Sequence, residues 1–157
     1  MIGVGGMDEQ KGGFVILCAD DDLEFNYLLS WDVKDHRNDI DLYFVENGVD
    51  LYNYLTHKGK YSDLAFSPAP DLILVDLVLP ALDFNAFQVF IKNDPGLRDV
   101  PVVVMTSTAV GLDINEVFPY QVSGFIEKPV KLRDLRRLLN AIGKDKGFPE
   151  IREKPGD

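Results

Sequence analysis

The stretch FVILCADDDLEF, residues 14–25, runs six apolar or small residues directly into three aspartates before apolar spacing resumes. A run of this length without polar alternation is typical of a β-strand that is buried on both faces. The carboxylates of Asp20, Asp21 and Asp22 therefore stand where a strand ends and a helix begins. Because like charges held close together repel one another, these carboxylates require a cation or separate roles.

Four further apolar segments of strand length follow, and they alternate with segments of helical spacing. The four are residues 40–45 (IDLYFV), 71–79 (DLILVDLVL), 100–107 (VPVVVMTS) and 123–130 (SGFIEKPV). Strands that alternate with helices in this way predict parallel strands joined by right-handed crossovers. The expected fold class is α/β, a three-layer (βα)5 sandwich with a five-stranded parallel sheet.

The predicted helices carry apolar stripes at three- and four-residue steps. The stripes consist of Phe25, Leu28, Leu29 and Val33; Val49, Tyr52 and Leu55; Phe87, Phe90 and Ile91; and Leu132, Leu135, Leu138 and Leu139. We expect Asn47 to cap the second helix and Gly143 to end the last one. The fourth helix, residues 111–123, is expected to be short, kinked or broken, because Pro119 lacks a backbone N–H.

Composition narrows the class of protein. A chain of 157 residues that is 46% hydrophobic predicts one domain, residues 14–143, between flexible termini of residues 1–13 and 144–157. The formal charge of -10 argues against a nucleic-acid-binding surface, because binding phosphates needs clustered Lys and Arg. No apolar run reaches the roughly 20 residues of a membrane span, and the start lacks the order of a signal peptide, so we expect a cytoplasmic protein.

Polar residues fall where several strands end, which is where function collects in an open parallel sheet. Asp76 lies in the third apolar run, Thr106 near the end of the fourth and Lys128 in the fifth. Helix caps, turn hydroxyls and surface charges are simpler explanations for such residues, but a buried carboxylate such as Asp76 is costly without a partner. Carboxylates at one edge predict Mg²⁺, and a lysine and a hydroxyl beside them predict a phosphoryl-handling site.

Four segments in this order resemble the response-regulator receiver domains of two-component signalling, the CheY-like family with its flavodoxin-like fold. The segments are FVILCADDDLEF (14–25), PDLILVDLVLP (70–80), PVVVMTSTA (101–109) and SGFIEKPV (123–130). The resemblance covers roughly residues 14–143, and the spacing from Asp76 to Thr106 and Lys128 is similar to that of the family.

The resemblance implies roles for the acidic residues. Asp76 would be the phosphoacceptor, and Asp20 and Asp21 would be the acidic pair that holds Mg²⁺. Asp76 and the backbone carbonyl of Val78 would be further metal ligands. Asp22 falls just beyond the pair and is assigned to capping the first helix.

The resemblance also implies roles for three other residues. Thr106 would hydrogen-bond the phosphoryl group, Lys128 would pair with it, and the Lys128 to Pro129 peptide would be cis. Phe125 matches the aromatic switch position, which in the family moves inward with the threonine.

Three features depart from the common family pattern. Phe84 follows Asp83 where many receivers have glycine, and Pro119 alters the fourth helix. The long loop from His57 to Pro70 resembles the single-domain receivers that act beside bacterial phytochromes and related histidine kinases. These departures bear on the partner more than on the chemistry.

The implied function is that of a single-domain response regulator, which is not an enzyme beyond assisting its own Mg²⁺-dependent phosphorylation and dephosphorylation. A sensor histidine kinase or phosphotransfer protein would supply the phosphoryl group to Asp76. Output would pass to an unknown downstream protein by contact, with no nucleic-acid or membrane partner. The fourth helix, fifth strand and fifth helix are the usual partner or dimer surface of the family, which allows a homodimer.

Three alternatives stay open at this level. A degenerate receiver would be a constitutive protein-interaction module that is never phosphorylated. A Mg²⁺-dependent phosphatase with an aspartyl nucleophile would need a second acid where Val78 stands. A flavodoxin-like FMN carrier would need Ser, Thr and Gly donors after the first strand in place of the three aspartates.

Overall fold

A computed structural model describes residues 13–36, 40–107, 123–128 and 130–146 of the chain. The predictions for residues 1–12 and 147–157 of the termini, for residues 111–122 of the fourth helix and for the Lys128 to Pro129 peptide lie outside these residues, whereas residues 144–146 of the predicted flexible C-terminus are helical. None of the helices in the described parts of the chain is both long enough and apolar enough to cross a membrane.

The described segments alternate between strands and helices, as the sequence predicts. The strands are β1 (Phe14–Ala19), β2 (Ile40–Val45), β3 (Leu72–Asp76), β4 (Val102–Ser107) and β5 (Gly124–Lys128). The helices are α1 (Leu23–His36), α2 (Gly48–Thr56), α3 (Phe84–Asn93) and α4 (Leu132–Lys146), and a 3-10 turn covers Gly59–Tyr61. Helix α4 is the fifth helix of the sequence prediction.

The strands form one parallel sheet in the order β2-β1-β3-β4-β5, which confirms the predicted fold class. Ala19, the last residue of β1, pairs with Val75 of β3. Asp20, which directly follows β1, therefore lies beside Asp76 at the end of β3. Lys128 ends β5 at the same edge of the sheet. The order of the strands thus gathers polar residues that are far apart in the sequence.

Two buried clusters cover the two faces of the sheet. One includes α2 and α3, with Leu51, Tyr54, Phe84, Phe87 and Ile91 packed on alternate residues of β1, β3 and β4. The other includes α1 and α4, with Leu29, Val33 and Leu135 packed on the opposite set of strand residues. The strands read as continuous apolar runs because both faces are covered.

The predicted helix stripes are wrong at two positions. Leu28 of α1 and Val49 of α2 are exposed, whereas Asn26 in α1 and Leu51 and Tyr54 in α2 are buried. Both helices carry apolar side chains on more than one face, so the spacing of these residues does not determine which face turns toward the sheet. Phe87 and Ile91 of α3 are buried as predicted, and Asn47 caps α2 by accepting a hydrogen bond from the amide of Asp50.

The end predicted for the last helix is also wrong, because α4 continues past Gly143 to Lys146. A glycine inside a helix costs only about 1 kcal/mol relative to alanine, and packing of the helix elsewhere offsets that cost. Leu135 is fully buried and Leu138 is partly buried against the same core, as predicted. The side chains of Leu132 and Leu139 lie outside the described residues.

The segment from His57 to Pro70 is a loop, as predicted, but it is held by partly buried hydrogen bonds. The hydroxyl of Ser67, which is fully buried, donates to the carbonyl of Tyr61 at 2.7 Å. The hydroxyl of Tyr54 on α2 donates to the carbonyl of Pro68 at 2.8 Å. The loop is therefore anchored to α2 rather than only connected to it.

Candidate functional site

Asp20 is the most enclosed residue of the site. Its side chain is fully buried, and Oδ1 accepts a hydrogen bond from the amide of Asp22 at 2.9 Å. The Asp20 amide donates to the carbonyl of Val45 at 3.0 Å, and the side-chain amide of Asn26 donates to the Asp20 carbonyl at 2.9 Å. Neighbouring strand and helix thus hold the backbone of Asp20 from both sides.

Asp76 is the last residue of β3 and is also buried. Its Oδ1 accepts a hydrogen bond from the amide of Val78 at 3.0 Å. Its Oδ2 faces the ammonium group of Lys128. The predicted partner of this buried carboxylate is therefore present, and it comes from the strand at the far edge of the sheet.

Lys128 joins the two buried carboxylates. Its Nζ donates to Asp20 Oδ2 at 2.8 Å and to Asp76 Oδ2 at 3.2 Å. The same Nζ lies over the ring of Phe25, 4.8 Å from the ring centroid. The sequence predicted that this lysine pairs with the phosphoryl group, and in the structure it already pairs with both carboxylates.

The three predicted acidic residues come together. Asp20, Asp21 and Asp76 each offer a carboxylate oxygen, and these oxygens all lie within 4.8 Å of one another. Asp20 and Asp76 are buried, whereas Asp21 is exposed. An all-oxygen donor set with one open side fits a hard divalent cation that keeps some of its water.

Asp22 has the separate role that the sequence predicts. Its Oδ1 accepts a hydrogen bond from the amide of Phe25 at 3.0 Å, which satisfies a donor in the first turn of α1. Of the three adjacent aspartates, two face the site and one caps the helix.

Burial and neighbouring charges act in opposite directions on the pKa values of Asp20 and Lys128. Burial raises the pKa of Asp20 above its ordinary value, although the hydrogen bonds from Lys128 and from the amide of Asp22 oppose this shift. Burial by itself lowers the pKa of Lys128, but the hydrogen bond and charge of Asp20, together with Asp76, outweigh it and raise that pKa. The ammonium group is therefore charged at neutral pH.

Two predicted residues lie on the neighbouring strands. Thr106 is half-buried in β4, one residue beyond Met105, which pairs with Asp76. The backbone of Phe125 pairs with Val104 in the β4–β5 ladder, but its side chain lies outside the described residues. The switch prediction for Phe125 therefore remains a prediction.

The turn after β3 departs from the common family sequence and still closes. Asp83 caps α3 by accepting a hydrogen bond from the amide of Ala86 at 3.1 Å, and Phe84 is buried at the start of that helix. Ala81 adopts a left-handed conformation with φ of 60°. Helix α3 therefore begins at Phe84, with Asp83 as its cap, although Phe84 stands where the resemblance predicted a departure from the family pattern.

Sequence reasoning missed three residues that support the site. Asn26 holds the backbone of Asp20, Phe25 contacts Lys128, and the amide of Gly48 donates to the carbonyl of Pro80 at 2.7 Å. A Cβ atom on Gly48 would lie 2.0 Å from the carbonyl oxygen of Ala81, so only glycine fits there. A signal for Asn26 was its spacing, three residues before Leu29, which itself stands four residues before Val33.

Comparison with known proteins identifies the family. The family described as response regulator receiver domain matches residues 16–140 of the chain. The response regulator Rcp1 of Synechocystis sp. (strain ATCC 27184 / PCC 6803 / Kazusa) is 30% identical over 135 residues, which cover 86% of this chain and 90% of that protein.

Two crystal structures share both the fold and part of the sequence. The phosphorylated cyanobacterial phytochrome response regulator RcpA is 27% identical, with a TM-score of 0.65, over 84% of this chain and 92% of that one. The Mn(2+)-bound form of Rcp1 is 27% identical, with a TM-score of 0.63, over 89% of this chain and 98% of that one. This chain therefore belongs to the family of response regulator receiver domains, the signalling domains of two-component systems.

Proposed function

We propose that Asp76 accepts a phosphoryl group from a sensor histidine kinase or a phosphotransfer protein, and that the chain signals by protein contact. The observation that carries this proposal is the ammonium group of Lys128, which lies within hydrogen-bonding distance of both Asp20 and Asp76. A fixed positive charge beside a carboxylate nucleophile reduces its repulsion of an incoming phosphoryl group. Nothing in the site favours the degenerate receiver, because each charged residue that the chemistry needs is present.

The proposed transfer moves one phosphoryl group between two nucleophiles. A carboxylate oxygen of Asp76 attacks phosphorus, and a new oxygen–phosphorus bond forms. The bond from phosphorus to the nitrogen of the donor phosphohistidine breaks, and that nitrogen keeps the electron pair. With acetyl phosphate as donor, the phosphorus–oxygen bond to acetate breaks instead, and acetate leaves with the pair. Water later attacks the acyl phosphate and releases inorganic phosphate from Asp76.

We assign the metal site to Asp20, Asp21 and Asp76, with the backbone carbonyl of Val78 as a further ligand. Mg²⁺ is the proposed ion, since it prefers oxygen ligands and commonly keeps several waters, for which the exposed side at Asp21 leaves room. When bound, the ion supplies positive charge to the phosphoryl oxygens. The chain itself holds the two buried carboxylates in place through the amides of Asp22 and Val78.

The proposed response to phosphorylation begins at Thr106, which would hydrogen-bond the phosphoryl group. Phe125 would then move inward, and the surface formed by the predicted fourth helix, β5 and α4 would change. We propose this surface for the downstream partner or for a homodimer. The receiver would occupy residues 14–143 and act in the cytoplasm.

Helix α1 supports a second protein contact. Leu23, Tyr27 and Trp31 follow one another at four-residue steps on one face of the helix, with Leu28 beside them, and each is more than half exposed. Large apolar side chains grouped on a surface mark sites of protein interaction. This surface lies next to the acidic site, where a phosphoryl donor has to approach.

The test is intact-protein mass spectrometry after incubation with acetyl phosphate, with and without Mg²⁺. The parent chain should gain one phosphoryl mass only with Mg²⁺, and Asp76→Asn should gain none. Asp22→Asn is the matched control, because the side-chain oxygen of asparagine keeps the helix cap and Asp22 is not one of the three clustered carboxylates, so this variant should be labelled like the parent. An unlabelled parent, beside a receiver of known activity that is labelled, would contradict the proposal and favour the constitutive protein-interaction module.

A further inference from the structure

The ring of Phe25 contacts the ammonium group of Lys128, and the proposed phosphoryl transfer gives Phe25 no role. Its ring lies 4.8 Å from Nζ of Lys128, within the range of a cation–π interaction. The Lys128 side chain is only 18% exposed, so solvent screens this contact less than it would screen one at the open surface. Two carboxylates and one aromatic face thus surround a single ammonium group.

The position of the ring is set by the start of α1. The amide of Phe25 donates to the capping carboxylate of Asp22, and the Phe25 ring packs partly buried against the cluster under α1. Asp22 follows Asp20 and Asp21 directly in the chain. The turn that presents the acidic pair therefore also places the ring against the ammonium group.

We propose that Phe25 is a positioning residue that holds the ammonium group of Lys128 at the acyl-phosphate site. The ring face stabilises the charge on the side away from the carboxylates and excludes water there, so the N–H groups stay directed at Asp20 and Asp76. When a phosphoryl group arrives on Asp76, the ammonium can transfer hydrogen bonds to it without leaving the ring. This inference rests on the proposed phosphoryl transfer to Asp76.

The decisive experiment replaces Phe25 with phenylalanines that carry one, two and three ring fluorines. Fluorine withdraws the electron density that attracts a cation but changes ring size little. The initial rate of Mg²⁺-dependent labelling by acetyl phosphate should fall stepwise along the series, by about threefold to tenfold in total. Phe25→Trp should keep the parent rate or exceed it, since tryptophan is the best aromatic partner for a cation.

The matched control is the same fluorinated series at Phe90, which packs against Tyr52 and Phe87 on the other face of the sheet. It should leave the labelling rate unchanged. Equal rates along the Phe25 series, or equal decreases at both positions, would overturn the proposal. Phe25→Leu adds a comparison without any ring, and thermal unfolding by circular dichroism shows whether that variant is folded.

A second measurement separates this proposal from the proposed function. A ring face close to Nζ shifts the NMR resonances of the Lys128 ε-methylene upfield, and this shift should vanish in Phe25→Leu. If the parent chain is never labelled, the proposed phosphoryl transfer is contradicted, and the upfield shift still decides whether the ring holds the ammonium group. An unshifted ε-methylene in the parent would overturn the role of Phe25 even if labelling is normal.

Discussion

Replacing Gly48 with alanine should destabilise the protein, because the first residue of α2 touches the turn after β3 through backbone atoms alone. A Cβ atom at this position would lie 2.0 Å from the carbonyl oxygen of Ala81 and 2.9 Å from Cα of Leu82. Real Cβ atoms essentially never come closer than 3.0 Å to such atoms, so the turn has to move by about 1 Å. No side chain can rotate to absorb that movement.

The magnitude follows from three terms. Overpacking of this kind costs about 1–3 kcal/mol. Lengthening the hydrogen bond from the Gly48 amide to the Pro80 carbonyl costs up to about 1 kcal/mol, and the better helix propensity of alanine returns a similar amount. We expect Gly48→Ala to lose about 2 kcal/mol of unfolding free energy, which corresponds to a fall in Tm of roughly 4–8 °C for a chain of this size.

Urea unfolding monitored by circular dichroism gives this quantity, with Gly96→Ala as the control. A Cβ on Gly96 would meet only the flexible carboxylate of Asp94 at 3.3 Å, so that variant should stay within about 0.5 kcal/mol of the parent. Because the displaced turn carries Val78, Gly48→Ala should also weaken Mg²⁺ binding. Equal stability of the two variants would refute the close approach of α2 to the turn.

Three further predictions concern charge and backbone conformation. Lys128→Met should lose about 2–3 kcal/mol at neutral pH, since Asp20 keeps a buried charge without its ammonium partner, and adding Asp20→Asn should recover part of that loss in urea unfolding. Because the native pKa of Asp20 is raised, the folded state binds more protons than the unfolded state. The contribution of the Asp20 carboxyl group to stability should therefore be present below about pH 3.9 and be lost as pH rises through the native pKa. Asp20→Asn should lack this slope, and parallel slopes for both proteins would contradict the shift. His57 ends α2 with φ of 58°, so His57→Gly should raise the unfolding free energy by about 0.5–1 kcal/mol whereas His57→Ala should not; equal values would exclude strain there.

The sequence was sufficient to predict the architecture and the membership of the acidic site. Continuous apolar strands predict a sheet covered on both faces, and parallel strands bring their carboxyl ends to one edge, so the sequence alone places Asp20, Asp76 and Lys128 together. The cap at Asp22 followed from its place at a strand-to-helix junction.

What the sequence could not predict depends on contacts between elements. The rotation of α1 about its axis buries Asn26 and exposes Leu28, and only the packed sheet decides between these two faces. The need for glycine at position 48 comes from a turn more than 30 residues away in the chain, and no local pattern reports such a distance. The ring of Phe25 reads as an ordinary core residue until the end of β5 is placed against it.

The ion pair between Lys128 and Asp20 spans 108 residues of sequence. Asp20 and Asp76 follow β1 and end β3, which both precede β5 in the chain, so a partly folded sheet that lacks β5 holds these two carboxylates side by side without the Lys128 counter-charge. Their repulsion disfavours early closure of this edge, and docking of the last strand relieves it. The ammonium group of Lys128 therefore stabilises the sheet only once β5 has docked, so pairing of β5 completes the charge balance at this edge.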